Sequence, residues 1–347
     1  MEKDILIDII SKNKKHNKFG ILEKIFNKMG NPQNDLKVIH ITGTNGKGTT
    51  SNMISHLLTS ANKNVGLFTS PAVKTHYERI KINNKNINKK NFYSLYYEFE
   101  IIIKNYKLSY FEIWFFLSII YFKRKKVDYA IIEVGIGGQF DTTNVFKKPF
   151  KTIITSISID HENYLGNNKK SIANTKSFIA KGSEIITPIK DKKILKIFSK
   201  YGKVKISIPY NLDIEHNKII FLYEGKSYYL VNQLPIVANS AVLAIEAVKD
   251  IVSFDLAFKT ISKFKLEGRN EKINDNPVVI VDVSHNEESI NNFIDFYNKQ
   301  INEKVALVFG TLNSKNISIK TINKLKKYNL FGDTSFSKNS KNYNLLE

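Results

Sequence analysis

Cysteine is absent from this 347-residue chain. Disulfides and thiolate metal sites are therefore excluded, and a reducing compartment is the natural expectation. Long apolar runs are lacking as well. The greasiest stretch, YFEIWFFLSIIYF (110–122), contains Glu112 and falls short of the roughly 18 apolar residues a membrane span requires. It reads as a buried helix of a soluble protein. The first residues, MEKDILIDII, show no basic segment leading into an apolar one, so no signal peptide is expected and the cytoplasm is the expected location. Acidic residues are scarce, 32 against 53 basic, for a net charge of +21. Such an excess invites a nucleic-acid partner. Lysine and asparagine are instead spread through loops such as KINNKNINKKN (81–91) and KNSKNYN (338–344), with no arginine-rich or aromatic-interleaved face. The expectation is compositional bias and affinity for acidic small molecules, without nucleic acid.

What is present reads as an ordinary globular mixture, 42% hydrophobic and 24% charged, long enough for about two domains. Short β-branched runs alternate with helical patterns. Strands are expected at 37–42, 63–69, 127–135 and 151–159, the last two as continuous apolar runs suited to buried parallel strands. Helices are expected at 47–61, 91–104 and 108–125. The fold class is α/β, a βαβ series giving a parallel sheet with helices on both faces. Segments 203–208, 216–224 and 226–231 suggest a small antiparallel patch, followed by a helix over 235–252. A boundary is expected near 262–268, then a second βαβ run: strand 277–283, helix 286–299, strand 304–310.

The chemistry-bearing stretches fall at strand ends. HITGTNGKGTTSN (40–52) is almost a phosphate loop, but Gly48 follows Lys47 and the hydroxyls come one place late, at Thr49 and Thr50. A strand ending at Thr42-Gly43 and a helix beginning near Lys47 set backbone N–H groups and the helix dipole at the turn, where phosphate binds. Lys47 can reach terminal phosphates as a point charge. In EVGIGGQFDTTNV (133–145), Glu133 lies at the carboxyl end of a buried strand, either a capping carboxylate or an oxygen ligand suited to magnesium. Phe140 stands where a dinucleotide fingerprint needs its last glycine, so that reading fails. TSISIDHENYLG (155–166) brings Asp160 and His161 to another strand end, and TSP (69–71) adds Ser70. Lys176 is semi-buried on its helical pattern and otherwise reads as a snorkelling lysine. VDVSHNEES (281–289) places Asp282, His285 and Asn286 at a strand end of the second domain, so a site between two α/β domains is expected.

Taken in order, MGNPQNDLKVIHITGTNGKGTT, LFTSPAVKTHYERIKIN, YFEIW, IIEVGIGGQFDTTNV, TSISIDHENYLGN, IANTKSFIAKG, LEGRNE and VIVDVSHNEESI resemble the folylpolyglutamate synthase/dihydrofolate synthase family of the Mur ligase superfamily. The likeness runs from about residue 18 to 316. G-T-N-G-K-G-[ST] is that family's own loop variant. The resemblance implies a P-loop-type ATP-binding domain over 1–264, a shortened Rossmann-like C-terminal domain over 265–332 and a polar tail over 333–347. It implies a monomer with small-molecule substrates and no membrane partner. In the implied reaction, ATP phosphorylates the carboxylate of dihydropteroate or a reduced folate, and L-glutamate attacks the acyl phosphate. Gly43, Thr44, Asn45, Gly46, Lys47, Gly48 and Thr49 match the ATP loop, and Asn239, Arg269 and Asp282 match nucleotide contacts. Ser70, Glu133, His161 and Lys176 match the magnesium set, for two Mg2+ ions, with Lys176 as a carbamate. His285 matches a residue near the incoming glutamate; Lys47, Lys176, His161 and His285 form the implied catalytic set. Phe111 and Asp141 fall on the pterin side. Departures are Ala72 for histidine, Gln139 for arginine, Thr175 for glutamate and Ile236 for glutamine. VSHNE replaces G-A-H-N-P, and SKN (314–316) replaces D-K-D. Alternatives are a degenerate relative that binds ATP without turnover, and a Mur-type ligase for a different acid and amine.

Overall fold

The computed structural model describes residues 4–13, 20–159, 165–300, 305–310, 317–325 and 328–333. Short runs rich in isoleucine and valine lead into one sheet of eight strands. In chain order its strands are β1 (Val38–Thr42), β2 (Val65–Phe68), β3 (Ile80–Ile82), β4 (Lys85–Asn86), β5 (Tyr129–Glu133), β6 (Lys151–Ile154), β7 (Glu184–Thr187) and β8 (Val204–Ile206). Their spatial order is β4-β3-β2-β5-β1-β6-β7-β8. Pairing is parallel from β2 through β8, and β3 and β4 add an antiparallel edge. The central strands are buried along their whole length, because helices cover both faces. One face packs Met53, Leu57 and Leu58 against Ala241 and Ala244, whose small side chains let the Val237–Val248 helix approach the Lys47–Ser60 helix closely. The other face is aromatic: Trp114, Phe115, Phe116 and Phe122 of the Tyr110–Arg124 helix pack on Phe68 and Ile132.

The strand order reverses at β1. The chain leaves β1 for β2, returns through β5 beside β1, then continues with β6 on the other side. In open α/β sheets that reversal opens a crevice at the carboxyl ends of the strands. The loops after β1, β5 and β6 converge there.

Several expected elements shift. Residues 155–159 leave the ladder after β6, because their backbone bonds the loop after β1 instead; Thr44 N–H donates to Ser156 O at 3.1 Å. The helix expected at 91–104 divides at Phe99 into Lys89–Glu98 and Glu100–Asn105. Segment 203–208 belongs to the main sheet as β8, not to the antiparallel patch. That patch is β9 (Tyr210–Glu215), β10 (Lys218–Tyr223) and β11 (Lys226–Val231). The second βαβ run is also rearranged. β12 (Glu271–Asp275) and β13 (Val278–Val281) form an antiparallel hairpin, since only Asn276-Pro277 joins them. After the Glu287–Gln300 helix, β14 (Ala306–Phe309) pairs in parallel with β15 (Asn329–Asp333) across the Ile319–Leu325 helix.

His40 lies on β1, 1% exposed. Its Nε2 stands 2.9 Å from Thr143 Oγ1, and that hydroxyl donates to Asp141 Oδ1 at 2.7 Å. His40 must therefore donate its Nε2 hydrogen. Burial, aided by Lys181, pushes the imidazole from 6.5 down to about 3. The folded chain resists a proton that the unfolded chain accepts, so stability is complete above pH 6.5 and falls as pH drops from 6.5 toward 3. Between pH 7.5 and pH 5 this group is expected to remove about 2 kcal/mol. Urea unfolding of His40→Gln should show that much less acid sensitivity than the wild type; identical pH profiles would refute the assignment.

Candidate active site

The loop after β1 is shaped by close approach. Gly43 has φ +148°, and a Cβ there would lie 1.9 Å from Thr155 Oγ1. Gly46 caps the Lys47–Ser60 helix at φ +84°, and a Cβ would meet Ser240 Oγ at 3.3 Å. Hydroxyls and main chain beyond β6 fix the loop. Thr155 Oγ1 donates to Asn45 O at 2.6 Å, Ser156 Oγ accepts from Asn45 N–H at 2.8 Å, and Thr44 Oγ1 donates to Ser158 O at 3.1 Å. The first-turn N–H groups of a helix have no intrahelical acceptor, and here they face the loop's mouth with the positive end of the dipole. Lys47 folds its ammonium back over that mouth, donating to Gly43 O at 3.0 Å and Thr44 O at 3.1 Å.

Glu133 closes the far side. It ends β5, is 3% exposed, and accepts Ser70 N–H at 3.1 Å. Burial raises its carboxyl to about 7, against the opposing pull of Lys47 and the Ser70 N–H. Gly48 faces this carboxylate. A Cβ at that position would make ordinary contact with Glu133 Oε2 at 3.5 Å, and only a larger side chain would fill the gap between helix and carboxylate. Lys176, 3% exposed rather than semi-buried, donates to Gly43 O at 2.9 Å. Two lysines thus share one loop carbonyl. Asp160 and His161 lie outside the described residues, and among the described residues no cluster of three or more His, Cys, Asp or Glu is present. The expected metal set is thereby represented by Ser70, Glu133 and Lys176. Ser70 and Glu133 supply the hard oxygen donors that a magnesium ion takes, so these residues fit one.

Asp141 is 9% exposed and accepts from Ile136 N–H at 2.8 Å, Thr143 N–H at 2.9 Å and Thr143 Oγ1. It organises the loop after β5. Phe111 covers that loop; a Cβ on Gly135 would stand 2.8 Å from its ring.

The chain after 264 reaches the loop through Asn45. Asn286 Nδ2 donates to Asn45 Oδ1 at 2.7 Å, and Asn45 Nδ2 donates to Glu288 Oε2 at 2.6 Å. Ser158 Oγ also donates to Glu288. Asp282 is engaged in its own turn, accepting from Asn270 N–H and Ser284 N–H, each at 2.8 Å. Arg269 precedes Asn270 and acts electrostatically on Glu133. His285 is exposed, with Nδ1 3.0 Å from Val283 O. Asn239 is half-buried beside Ser240, which covers Gly46. The structure thus joins the loop, Ser70, Glu133 and Lys176 directly, with Asn239 at the rim. Sequence reasoning missed Thr155, Ser156, Ser158, Ser240 and Glu288. A hydroxyl run directly after a buried strand was the available signal for the first three.

Residues 41–244 match the Mur ligase middle domain. The chain belongs to the Mur ligase family. This Mur ligase is 32% identical to the dihydrofolate synthase/folylpolyglutamate synthase of Buchnera aphidicola subsp. Baizongia pistaciae, over 84% of the chain and 70% of that protein. Its fold matches Mycobacterium tuberculosis folylpolyglutamate synthase complexed with ADP at TM-score 0.88, with 23% identity over 98% of this chain and 82% of that one. It also matches E. coli FolC in complex with DHPP and ADP at TM-score 0.86, with 22% identity over 99% and 86%. The α/β architecture expected from the sequence is shared with both. No helix among the described residues is long and apolar enough to cross a membrane.

Proposed function

We propose that this Mur ligase adds L-glutamate to dihydropteroate, to a reduced folate, or to both, at the expense of ATP. The observation that carries the reading is the meeting of a phosphate-shaped loop, two lysines and a buried carboxylate at the sheet's reversal point. A carboxylate and an ammonium ion do not condense in water. The carboxylate oxygen attacks the terminal phosphorus of ATP and ADP leaves; the glutamate amine then displaces phosphate and loses a proton. Gly43 to Thr49 hold the nucleotide phosphates, with Asn239, Arg269 and Asp282 at its other end. Lys47 offsets the charge that builds during transfer. Ser70, Glu133, His161 and Lys176 are the proposed magnesium set, for two ions, which would neutralise phosphate charge. Lys176 is the proposed carbamate site. Phe111 and Asp141 line the acid side, and His285 serves the incoming glutamate. Residues 265–332 act as the second domain. A monomer working in the cytoplasm completes the reading.

Purified chain with magnesium, ATP, glutamate and either dihydropteroate or a reduced folate should yield a product one glutamyl unit heavier by mass spectrometry. Gain on dihydropteroate alone means a dihydrofolate synthase; gain on both means a bifunctional enzyme. ATP binding with no product on either acid would refute the ligase reading and leave a nucleotide-binding relative.

A further inference from the structure

Arg79 stands beside the crevice with no role assigned above. It ends the short His76–Arg79 turn, and its carbonyl accepts Thr69 N–H at 3.1 Å. That bond sets Arg79 next to Ser70, whose own N–H holds Glu133. The guanidinium carbon lies 5.2 Å from the centroid of the Tyr110 ring. Its Nε is buried and without a hydrogen-bond partner, and among the described residues it pairs with no carboxylate. Tyr110 is itself fixed, its hydroxyl bonded to His76 Nδ1 and in polar contact with the Arg79 guanidinium. The next residue, Phe111, covers Gly135 just beyond Glu133.

A buried donor left unsatisfied costs free energy, and such groups in native folds call for an explanation. Here the donor belongs to a planar fork backed by an aromatic ring, the arrangement that binds carboxylates through two parallel N–H bonds. Glu133 feels the guanidinium electrostatically without pairing to it. The Nε edge of the fork is therefore available for an anion arriving from the Tyr110–Phe111 side, with Tyr110 steadying the rest of the group. We propose that Arg79 grips the carboxylate of the acid substrate, the group that is to be phosphorylated, with Tyr110 and His76 as its positioning residues. This rests on the ligase reading given above. A grip of this kind aligns a carboxylate oxygen for attack and offsets repulsion from the nucleotide phosphates.

Equilibrium binding of dihydropteroate and of a reduced folate, with ADP and magnesium present, would be measured for wild type, Arg79→Ala and Arg79→Lys, alongside ATP affinity and steady-state KM values. Arg79→Ala is expected to weaken acid binding by about 10- to 100-fold, with ATP affinity, KM for glutamate and melting temperature unchanged. Arg79→Lys should recover little, because lysine lacks the fork, whereas added guanidinium ion should partly restore Arg79→Ala. Equal acid affinity in wild type and Arg79→Ala would overturn the assignment alone. So would a parallel loss of acid affinity, ATP affinity and melting temperature, which marks a structural residue. A wild type that binds neither acid would overturn the ligase reading, and this proposal with it.

Discussion

Replacing Lys47 by alanine is expected to lower kcat by about 10³-fold, the scale seen when a preorganised charge facing a transferring group is removed. Its ammonium now rests on Gly43 O and Thr44 O, across the mouth formed by the helix N-terminus. Those contacts are to a loop whose backbone is independently held by Thr155 and Ser156, with the Thr44 side chain tied to Ser158 O. The melting temperature should therefore stay close to wild type while turnover collapses. Lys47→Arg should not rescue, since a planar guanidinium cannot replace a compact ammonium in the same space. The decisive assay is product formation under saturating ATP and glutamate. Near-normal turnover by Lys47→Ala would sink the site assignment.

Gly43→Ala should be nearly as damaging, by a different route. The new methyl would stand 1.9 Å from Thr155 Oγ1 and 3.0 Å from Ser156 N, on a backbone at φ +148°. Neither neighbour can move cheaply. Thr155 Oγ1 also holds Asn45 O, and Ser156 is main chain leaving the sheet. Displacing them opens the cradle and shifts the carbonyl that both Lys47 and Lys176 bond. Strain and overpacking together should cost about 3 kcal/mol of stability, and ATP affinity should fall by about 100-fold, roughly 3 kcal/mol. Gly225→Ala separates the two effects. It also has positive φ, +75°, but nothing within 4 Å, so it should lose only about 1 kcal/mol and no ATP affinity. Calorimetric titration with ATP would settle the comparison, and wild-type affinity in Gly43→Ala would refute the close packing of the loop.

The legibility of this chain follows the range of its interactions. The four parallel strands at the sheet's heart, β2, β5, β1 and β6, announce themselves where burial on both faces demands unbroken apolar runs, as in YAIIE and VIHIT. β7 and β8 were harder. EIIT and VKI are short, and a strand of three or four residues has no periodicity to read. The hairpin of β12 and β13 was missed because a Pro-containing turn reads equally well as the end of a strand. In the candidate site, residues tied to glycine or to a strand end were legible: Gly43, Lys47, Glu133. Ser240 and Glu288 were not, because each meets the loop across about 200 residues or more and nothing local marks it. Gly48 was visible as an oddity, but its neighbour across the gap, Glu133, is known only spatially.

The amide of Asn45 is held by Asn286 and Glu288, the second of these 243 positions further along the chain. Its backbone, by contrast, is fixed by Thr155 and Ser156. The two halves of one residue therefore mature at different moments. As a chain emerges from its N-terminus, the loop's main chain can settle once β6 has formed, whereas its side chain waits for the start of the Glu287–Gln300 helix. Closing so long a stretch is entropically slow. Final ordering of the loop belongs to the last stage of folding, and the newborn N-terminal half carries an unfinished version of it.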